Sequence, residues 1–307
     1  MDVTHAIGVD VGGTKILAGI VAADGTVVRR RERMTPTGSL DAVLAALDAA
    51  VEDLRDDTVA GIGFGVPSPI DQRRGVVVQA PNIAPLHDMP LRSRMRERFG
   101  LPVGIDNDAN VAAIGEWKAG AARGSDHVVM LTLGTGCGGG LILGGRPYRG
   151  ATGGGAELGH MVVVHDGRPC QGTCTGRGHL EPYVSGLAAS KAAEEVFGPG
   201  ADSHRLIRLA NEGDETARGI LAEIGRYLGS GLGTFSNVFE PELIVVGGGF
   251  GVAGWDHLVP AAEEVMRREA LPPGRDSVRV ARAQLGTAAG LIGAAFVGFE
   301  AAELDRA

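Results

Sequence analysis

The segment Asp106-Asn107-Asp108, followed closely by Asn110, brings carboxylates and amides together where the sequence pattern changes. The apolar residues of 101–105 predict a short buried strand, and an alanine-rich helical pattern begins near Asn110. Sheets of α/β proteins bind their ligands at the carboxyl ends of strands. We therefore interpret Asp108 as a candidate general base, a carboxylate that accepts a proton from a hydroxyl group. The alternative is helix capping, which uses the same residue types at the same kind of junction.

A first glycine-rich segment, DVGGTK, lies between two apolar runs. Its glycines would let backbone N–H groups approach a phosphate, and its polar side chains would hold a hydrated Mg²⁺ ion or add donors. The candidate residues are Asp10 for the Mg²⁺ ion and, for the phosphates, Gly12, Gly13, Thr14 and Lys15. The segment is not a P-loop, which needs G-x-x-x-x-G-K-[ST] before a helix. A plain glycine hairpin remains the alternative.

Two further glycine-rich segments follow predicted strands later in the sequence. In LGTGCGGG, the backbone N–H groups of Thr135, Gly136 and Gly138 are candidate donors to β- and γ-phosphates. We expect this loop and DVGGTK to face each other across a cleft. The third segment, VVGGG, follows an apolar run and suits an adenosine at Gly248 and Gly249. A tight strand-to-helix turn is the alternative for this third segment.

Residue types that bind zinc cluster between these segments. His160, Cys170, Cys174 and His179 form the pattern H-x9-C-x3-C-x4-H among glycines and prolines. Two nitrogen and two sulfur ligands suit a tetrahedral structural zinc site, since no position is left for a catalytic water. His165 is a substitute ligand that the spacing also allows, although the Asp-Gly turn after it predicts an exposed loop. The alternative is a pair of buried thiols and a pair of surface histidines.

The predicted elements occur in an order that repeats. The first half gives three strands, then helix, strand, helix, strand and helix, which matches one half of an actin-like (ribonuclease H-like) ATPase fold. The second half repeats this order, with its first predicted strands over 128–133, 141–143 and 146–148. We therefore expect a duplicated α/β fold of two domains with an active-site cleft between them.

The predicted domain limits follow from this order of elements. We expect a smaller N-terminal domain over residues 1–116 and a larger domain over 117–287, with the zinc segment at 160–181. A C-terminal helix over about 288–307 could pack back on the N-terminal domain.

Composition narrows the functional class. Hydrophobic residues make up 44% and charged residues 21% of the 307 residues, as in a globular protein. The net charge of −8 argues against nonspecific nucleic-acid binding, so any phosphate must be held by local amides and a metal. We see no signal-peptide pattern and no apolar run of membrane-spanning length, so we expect a cytoplasmic protein without membrane contact. Only 3 cysteines occur, which suits a reducing compartment and a metal site.

The motifs DVGGTK, PN, NDAN, LGTGCGGG, ELGH, the Cys/His segment ending in HLE, and VVGGG follow one another along the whole sequence. This set resembles the ROK family of sugar kinases and repressors, and within it the bacterial ATP-dependent glucokinases. The resemblance implies an actin-like two-domain fold, usually a homodimer or homotetramer, with the sugar bound in the cleft. It also implies ATP and Mg²⁺ as cofactors and phosphorylation of a hexose, glucose first, at its 6-hydroxyl.

The resemblance also assigns roles to individual residues. Asp108 becomes the base for the sugar hydroxyl, the first two glycine loops become phosphate hairpins, and Gly248-Gly249 becomes the adenosine loop. Besides Asp108, the family's sugar-binding positions correspond to Asn82, Asn107, Glu157, His160 and Glu181. Of these, Asn82 follows a proline, where ordinary turn chemistry is the alternative.

The zinc segment departs from the family pattern, which usually reads C-x-C-G-x-x-G-C-x-E with a histidine ten residues before the first cysteine. His160 keeps that distance from Cys170, but the next cysteine is displaced to Cys174, and His179 replaces the last one. Imidazole is an equally good zinc ligand, so we expect the metal to remain. Glu181 still follows the last ligand by two residues, so the zinc would brace the loop that presents this carboxylate.

Other functions remain as alternatives. Fructose, mannose, N-acetylmannosamine or N-acetylglucosamine could replace glucose, and polyphosphate could replace ATP, although polyphosphate glucokinases of the family typically lack the zinc segment. A ROK repressor carries an added N-terminal helix-turn-helix, whereas this sequence opens on the first predicted strand, so we expect no DNA binding. A non-catalytic sugar-sensing regulator would be expected to lack Asp108, and a chaperone-type actin-like ATPase would lack ELGH and the zinc segment.

Overall fold

The computed structural model of the chain describes residues 4–80, 83 and 85–306. Asn82, one of the predicted sugar-binding residues, lies outside the described residues. The chain divides into two compact units, of which unit 1 comprises Met1–Gly124, Pro147–Ala156 and Thr287–Ala307. Unit 2 comprises Ser125–Arg146 and Glu157–Gly286.

The strands and helices follow one another in chain order. Up to residue 119 they are β1 (His5–Val11), β2 (Lys15–Ala22), β3 (Val27–Met34), α1 (Leu40–Glu52), β4 (Val59–Val66), β5 (Ile70–Asp71), β6 (Val76–Val77), α2 (Leu91–Phe99), β7 (Val103–Asn107) and α3 (Asp108–Ala119). Beyond it they are β8 (Val128–Leu133), β9 (Cys137–Ile142), α4 (Glu181–Val184), α5 (Gly186–Phe197), α6 (Ser203–Asn211), α7 (Glu215–Phe239), β10 (Leu243–Gly247), α8 (Gly249–Ala253), α9 (Trp255–Glu269), α10 (Gly274–Ser277), β11 (Arg279–Arg282) and α11 (Ala289–Arg306).

Unit 1 is built on a five-stranded sheet in the order β3-β2-β1-β4-β7. β2 pairs antiparallel with both β1 and β3, whereas β4 pairs parallel with both β1 and β7. The carboxyl ends of β1, β4 and β7 therefore lie at the same edge of the sheet. This mixed sheet with its helices confirms the predicted α/β class.

The central strands of unit 1 present a glycine face to α11. A Cβ atom at Gly8 would overlap the carbonyl oxygen of Leu291, and one at Gly63 would overlap that of Ala294. Because only glycine has no Cβ atom, these positions let the helix backbone rest directly on β1 and β4. Successive strand residues point to opposite faces of a sheet. The residues next to Gly8 in β1 and next to Gly63 in β4 therefore point away from α11.

The opposite face of the same sheet packs against α1 and α2. Ile7 and Phe64 from the strands share one core cluster with Leu47 of α1 and Met95 of α2, and all of these side chains are fully buried. Full burial of an apolar side chain of this size stabilises the fold by roughly 1.5–3 kcal/mol. The sheet of unit 1 is therefore covered on both faces, which fixes the strand ends that carry the candidate catalytic residues.

The stretch Gly286–Arg306, which contains α11, is long and apolar enough to cross a membrane by length and composition. Half of its apolar window (50%) is buried inside the protein. Because α11 packs against α3, β1, β4 and β7, contact with the core of unit 1 accounts for its apolar composition.

Residues 147–156, which the sequence analysis assigned to the second domain, group with unit 1. Arg149 gives the physical reason, since its guanidinium pairs with Asp106 of β7 and with Glu300 of α11. α3 also belongs to unit 1 over its whole length, past the expected limit at residue 116. Pairs this distant in sequence leave no local pattern from which the division could be predicted.

Unit 2 is built on a four-stranded sheet in the order β11-β10-β8-β9. β10 is parallel to β8 and β11, and β9 is antiparallel to β8. The long helix α7 packs against α9 and also contacts α5 and α6. The β8–β9 hairpin of unit 2 corresponds to the β1–β2 hairpin of unit 1, as the predicted duplication requires.

The predicted strand over Arg146–Tyr148 is wrong, because the described residues form no strand there. Gly144 and Gly145 both adopt positive φ angles, 59° and 67°, which turn the chain out of the extended conformation after β9. Pro147 also lacks the N–H donor that a third hairpin strand would need. The repeat between the two units is therefore partial.

Candidate active site

Asp10 and Asp108 lie at the shared carboxyl edge of the parallel strands in unit 1. Asp10 is near the end of β1, and Asp108 follows β7 directly as the first residue of α3. Burial of Asp10 and the nearby charge of Asp108 raise the pKa of Asp10 from 3.8 to about 7, and the Lys15 ammonium partly opposes this. A buried carboxylate beside a second carboxylate forms a site where a cation would be stabilised.

Asn107 is the N-cap of α3. Its side-chain oxygen accepts hydrogen bonds from the backbone N–H groups of Ala109 at 2.8 Å and Asn110 at 3.3 Å. Its side-chain nitrogen donates to the carbonyl oxygen of Ser68 at 3.3 Å. The capping alternative therefore holds for Asn107. Because Asn107 caps the helix, Asp108 is not needed for that purpose, and it lies exposed at the sheet edge.

The first glycine loop is a tight hairpin between β1 and β2. Gly12 donates its N–H to the carbonyl oxygen of Lys15 at 2.9 Å, and the Thr35 hydroxyl donates to the carbonyl oxygen of Gly12 at 2.7 Å. The N–H of Gly12 is therefore committed to the turn, whereas Gly13 and Thr14 form its tip. The Lys15 ammonium pairs with the Glu32 carboxylate at 3.0 Å on the exposed edge of the sheet.

The second glycine loop, in unit 2, contacts Glu181. Gly134 donates its N–H to the carbonyl oxygen of Gly136 at 3.0 Å, which closes the β8–β9 turn. The backbone N–H of Cys137 donates to Oε2 of Glu181 at 2.8 Å. A Cβ atom at Gly136 would overlap the same carboxylate oxygen. The structure thus brings a predicted sugar-binding residue, Glu181, against the predicted phosphate hairpin, with Thr135 exposed at its tip and Gly138 within β9.

A cavity of about 440 Å³ lies beside this hairpin within unit 2. It is lined by Gly134, Thr135, Gly186, Leu187, Ser190, Asp202, Ser203, His204, Ile207, Gly249, Phe250 and Ala253. Its volume is in the range of small-molecule sites, and its walls combine apolar groups with a few polar ones. Thr135 and Gly249 were predicted from the sequence, but the residues from α5 and α6 were not; the N-caps Ser185 and Asp202 were the signal for these two helices.

Gly248 lies next to this cavity as the residue before α8. It adopts a φ of 80°, and a Cβ atom there would overlap the carbonyl oxygen of Leu133 at the end of β8. The strand-to-helix turn, which was the alternative for this segment, is therefore present. It also brings Gly249 to the cavity wall, so the turn and a ligand-binding role are compatible.

The four predicted zinc ligands come together in unit 2, with ligand atoms that all lie within 4.8 Å of one another. Nδ1 of His160 is 3.2 Å from Nδ1 of His179 and 3.5 Å from Sγ of Cys170, and Nδ1 of His179 is 3.6 Å from Sγ of Cys174. A tetrahedron with Zn–N bonds of about 2.0–2.1 Å and Zn–S bonds of about 2.3 Å has edges of about 3.3–3.8 Å. The residues present therefore fit a zinc ion, and the exposed His165 is outside the group.

The position of His160 allows it two contacts. The ring nitrogen that points to the cluster is Nδ1, which leaves Nε2 for another partner. His160 ends a short 3₁₀ turn that begins after Glu157, and a Cβ atom at Gly159 in this turn would overlap the carbonyl oxygen of Cys137. Since the N–H of Cys137 also donates to Glu181, the turn at 158–160 and Glu181 both contact the start of β9.

Comparisons with known proteins identify the family of this chain. The sequence signature of the ROK family matches residues 6–299. The chain is 36% identical to the glucokinase of Streptomyces coelicolor over 307 residues, which cover 94% of this chain and 96% of that protein. The ROK family glucokinase of Streptomyces griseus, solved in complex with glucose and AMPPNP, is 36% identical with a TM-score of 0.81 and coverage of 96% and 99%. The ROK hexokinase of Thermus thermophilus is 35% identical with a TM-score of 0.86 and coverage of 99% and 100%. The chain therefore belongs to the ROK family and has the predicted actin-like fold.

Proposed function

We propose that this chain is a hexose kinase that transfers the γ-phosphoryl group of ATP to the 6-hydroxyl of glucose. The observation that carries the proposal is the exposed carboxylate of Asp108 beside Asp10, at the carboxyl edge of the parallel strands. Similarity to glucokinases, one of them solved with glucose and a nucleotide analogue, supports both substrates.

Asp108 is the general base in this proposal. Phosphoryl transfer requires a group that accepts the proton of the attacking hydroxyl, and a carboxylate at the exposed start of a helix is accessible to that hydroxyl. A strongly raised pKa is not required, because the proton leaves late in a loose transition state. Asn107 caps the helix directly before Asp108 and would contribute its amide group to the sugar.

Asp10 would hold the Mg²⁺ ion that accompanies ATP, through a bound water. Bound there, the ion would supply positive charge to the phosphates. The fit rests on two neighbouring carboxylates: burial, and then the charge of Asp108, raise the pKa of Asp10, and a cation would offset both effects. The tip of the first hairpin, Gly13 and Thr14, would supply backbone N–H groups to the phosphates, with Gly12 shaping the turn and Lys15 at its edge.

Unit 2 contributes the nucleotide contacts in this proposal. Backbone N–H groups of Thr135, Gly136 and Gly138 are the candidate donors to the β- and γ-phosphates. The cavity beside them would take the adenosine, with Gly248 and Gly249 forming one wall. Its volume of about 440 Å³ is enough for a nucleoside.

The hexose would be selected by hydrogen bonds. We assign this role, besides Asp108, to Asn82, Asn107, Glu157, His160 and Glu181. A site built from carboxylates and amides rejects sugars that lack a matching hydroxyl, because its buried polar groups are then left unpaired. The contact between Glu181 and the N–H of Cys137 supports this assignment, since it ties the predicted sugar residue to the phosphate hairpin.

The zinc site would be structural. His160, Cys170, Cys174 and His179 would hold the ion. One of these ligands, His160, and the nearby Glu181 would also face the sugar. The ligand distances support this role, because they already match a tetrahedron. The unpaired cysteines support a reducing compartment, the cytoplasm, for the protein. A homodimer or homotetramer remains our prediction, to be checked by light scattering.

A coupled assay over a hexose panel tests the proposal. Glucose, fructose, mannose, N-acetylmannosamine and N-acetylglucosamine are each offered with ATP or with polyphosphate, and ADP and the phosphorylated sugar are measured. We expect ATP and glucose to give the highest kcat/KM. The Asp108→Asn variant, purified in parallel, controls for contaminating host kinases. If the wild-type chain phosphorylates none of these sugars, the proposal is wrong. A preference for another hexose would change the proposed substrate but not the proposed reaction.

A further inference from the structure

Asp106, two residues before the proposed base, is a fully buried carboxylate with 0% exposure. Burial of a charged group is costly unless the charge is paired and hydrogen-bonded. Oδ1 of Asp106 accepts from the backbone N–H of Asn107 at 2.8 Å and from the side-chain nitrogen of Asn110 at 3.0 Å. Its Oδ2 accepts from Nε of Arg149 at 2.6 Å. Asp106 thus links the end of β7 to the first turn of α3, on both sides of Asp108.

Arg149 is itself held in a fixed orientation by α11. Its terminal nitrogens donate to the two carboxylate oxygens of Glu300 at 3.0 and 2.6 Å, so the contact is bidentate. The Arg149 side chain is 20% exposed, and that of Glu300 is 44% exposed. A planar guanidinium fork can contact two carboxylates at once, which an ammonium group cannot reproduce. Arg149 therefore connects β7, α11 and its own segment of unit 1.

A cavity of about 440 Å³ borders this network in unit 1 and contains other arginines for comparison. Arg96, in the cavity wall, pairs with Asp305 at 2.5 Å, and both side chains are well exposed, 59% and 39%. This ion pair does not contact Asp106 or α3. Arg96 is therefore a matched control, because it is an arginine of the same cavity wall whose ion pair is with Asp305 and not with Asp106.

We propose that Arg149 is a positioning residue for catalysis, which fixes the direction of Asp108 by holding the buried carboxylate of Asp106. This inference rests on the proposed function, in which Asp108 is the base. Displacement of a catalytic group by about 1 Å can lower the rate about 100-fold. In this proposal Arg149 acts on the rate of the chemical step.

The kinetic test compares full-length variants by kcat and by KM for each substrate. For Arg149→Met we expect kcat to fall about 100-fold, with the KM for ATP within about twofold of the wild-type value. Arg149→Lys keeps the charge but not the fork, so we expect nearly normal thermal stability and a kcat lowered about tenfold. Arg96→Met should leave kcat unchanged. A purely structural role for Arg149 predicts the opposite for Arg149→Lys, namely a normal kcat together with normal stability.

A second readout is independent of activity. Arg149→Met leaves Asp106 buried without its cation and can unfold the chain, so Glu300→Gln, which keeps the Arg149–Asp106 pair, serves as the milder variant. Hydrogen exchange over residues 106–111 should become faster in Arg149→Lys and Glu300→Gln but not in Arg96→Met. If the wild-type chain phosphorylates no sugar, the proposed function fails, and exchange alone decides whether Arg149 orders this segment. Unchanged exchange, or a kcat of Arg149→Lys within twofold of wild type, overturns the inference.

Discussion

Replacement of His179 by alanine removes one of the four proposed zinc ligands and tests the role of the proposed zinc ion. Three of the ligand separations, 3.2, 3.5 and 3.6 Å, are close to the edges of a tetrahedral zinc site, so binding of the ion would require little rearrangement of these side chains. His179 also lies two residues before Glu181, which the phosphate hairpin contacts through the N–H of Cys137. Loss of the metal should therefore weaken binding of the sugar before it affects binding of ATP.

The size of the effect follows from how little else holds this segment. Between Met161 and His179 only Gly178 is buried, so the segment has no apolar core of its own. Its backbone hydrogen bonds include those from the N–H of Val163 to the carbonyl oxygen of Gly178 at 2.8 Å and from the N–H of Cys170 to that of Gly176 at 2.9 Å. Each such hydrogen bond contributes only about 0.5–1.5 kcal/mol to stability. A bound zinc ion would thus supply most of the order of this segment. We expect the KM for the hexose to rise about 10–100-fold, with the KM for ATP changed by less than about threefold.

The assay combines elemental analysis with steady-state kinetics. Wild-type protein should contain about one zinc ion per chain, as a site with four protein ligands implies, and His179→Ala should contain far less. His165→Ala is the matched control, because His165 is an exposed histidine of the same segment outside the cluster. It should retain the zinc and the KM. Full zinc content with an unchanged hexose KM in His179→Ala, or loss of zinc in His165→Ala, would refute the reasoning.

Three further predictions concern stability. The pKa of Asp10 is raised to about 7 in the folded state, so between pH 4 and 7 the folded chain binds a proton that the unfolded chain has lost. The free energy of unfolding should therefore fall, by at most about 4 kcal/mol, as the pH rises from 4 to 7. Asp10→Asn should lose this pH dependence in urea titrations of metal-free protein, and an identical pH dependence in both proteins would contradict the assignment. Ala156 has a φ of 67°, so Ala156→Gly should stabilise the chain by about 0.5–1 kcal/mol in thermal unfolding, whereas a lower Tm would show no strain there. A Cβ atom at Gly63 would overlap the carbonyl oxygen of Ala294, so Gly63→Ala should destabilise by about 3 kcal/mol, and an unchanged denaturation midpoint would contradict this packing.

The sequence was most informative where local pattern and chemistry coincide. Apolar runs that end in a polar turn predicted β1 and β7, and hence the positions of Asp10 and Asp108 at strand ends. The clustering of His160, Cys170, Cys174 and His179 could also be predicted, because their residue types and spacing are a local pattern in the sequence. The likeness to solved ROK structures confirms the predicted fold class and family.

Long-range contacts were not predictable from the sequence. Arg149 and Asp106 are 43 residues apart, and Arg149 and Glu300 are 151 apart, so no periodicity links them. The cavity in unit 2 depends on α5 and α6, whose caps were visible but whose packing beside the β8–β9 hairpin was not. The prediction of a strand over Arg146–Tyr148 failed for a local reason. Two glycines with positive φ angles directly before it, and Pro147 within it, keep this segment out of a strand.

The Asp108→Asn variant tests the central claim most directly. Asparagine retains the size of aspartate and an oxygen that can still accept from the N–H of Ala109, the bond made by Asp108 at 3.0 Å, so the fold should be preserved. It cannot accept the proton of the sugar hydroxyl, so we predict a kcat for glucose phosphorylation lowered about 10²–10⁴-fold, with a wild-type Tm. Turnover close to the wild-type rate in a folded Asp108→Asn protein would contradict the assignment of Asp108 as the base.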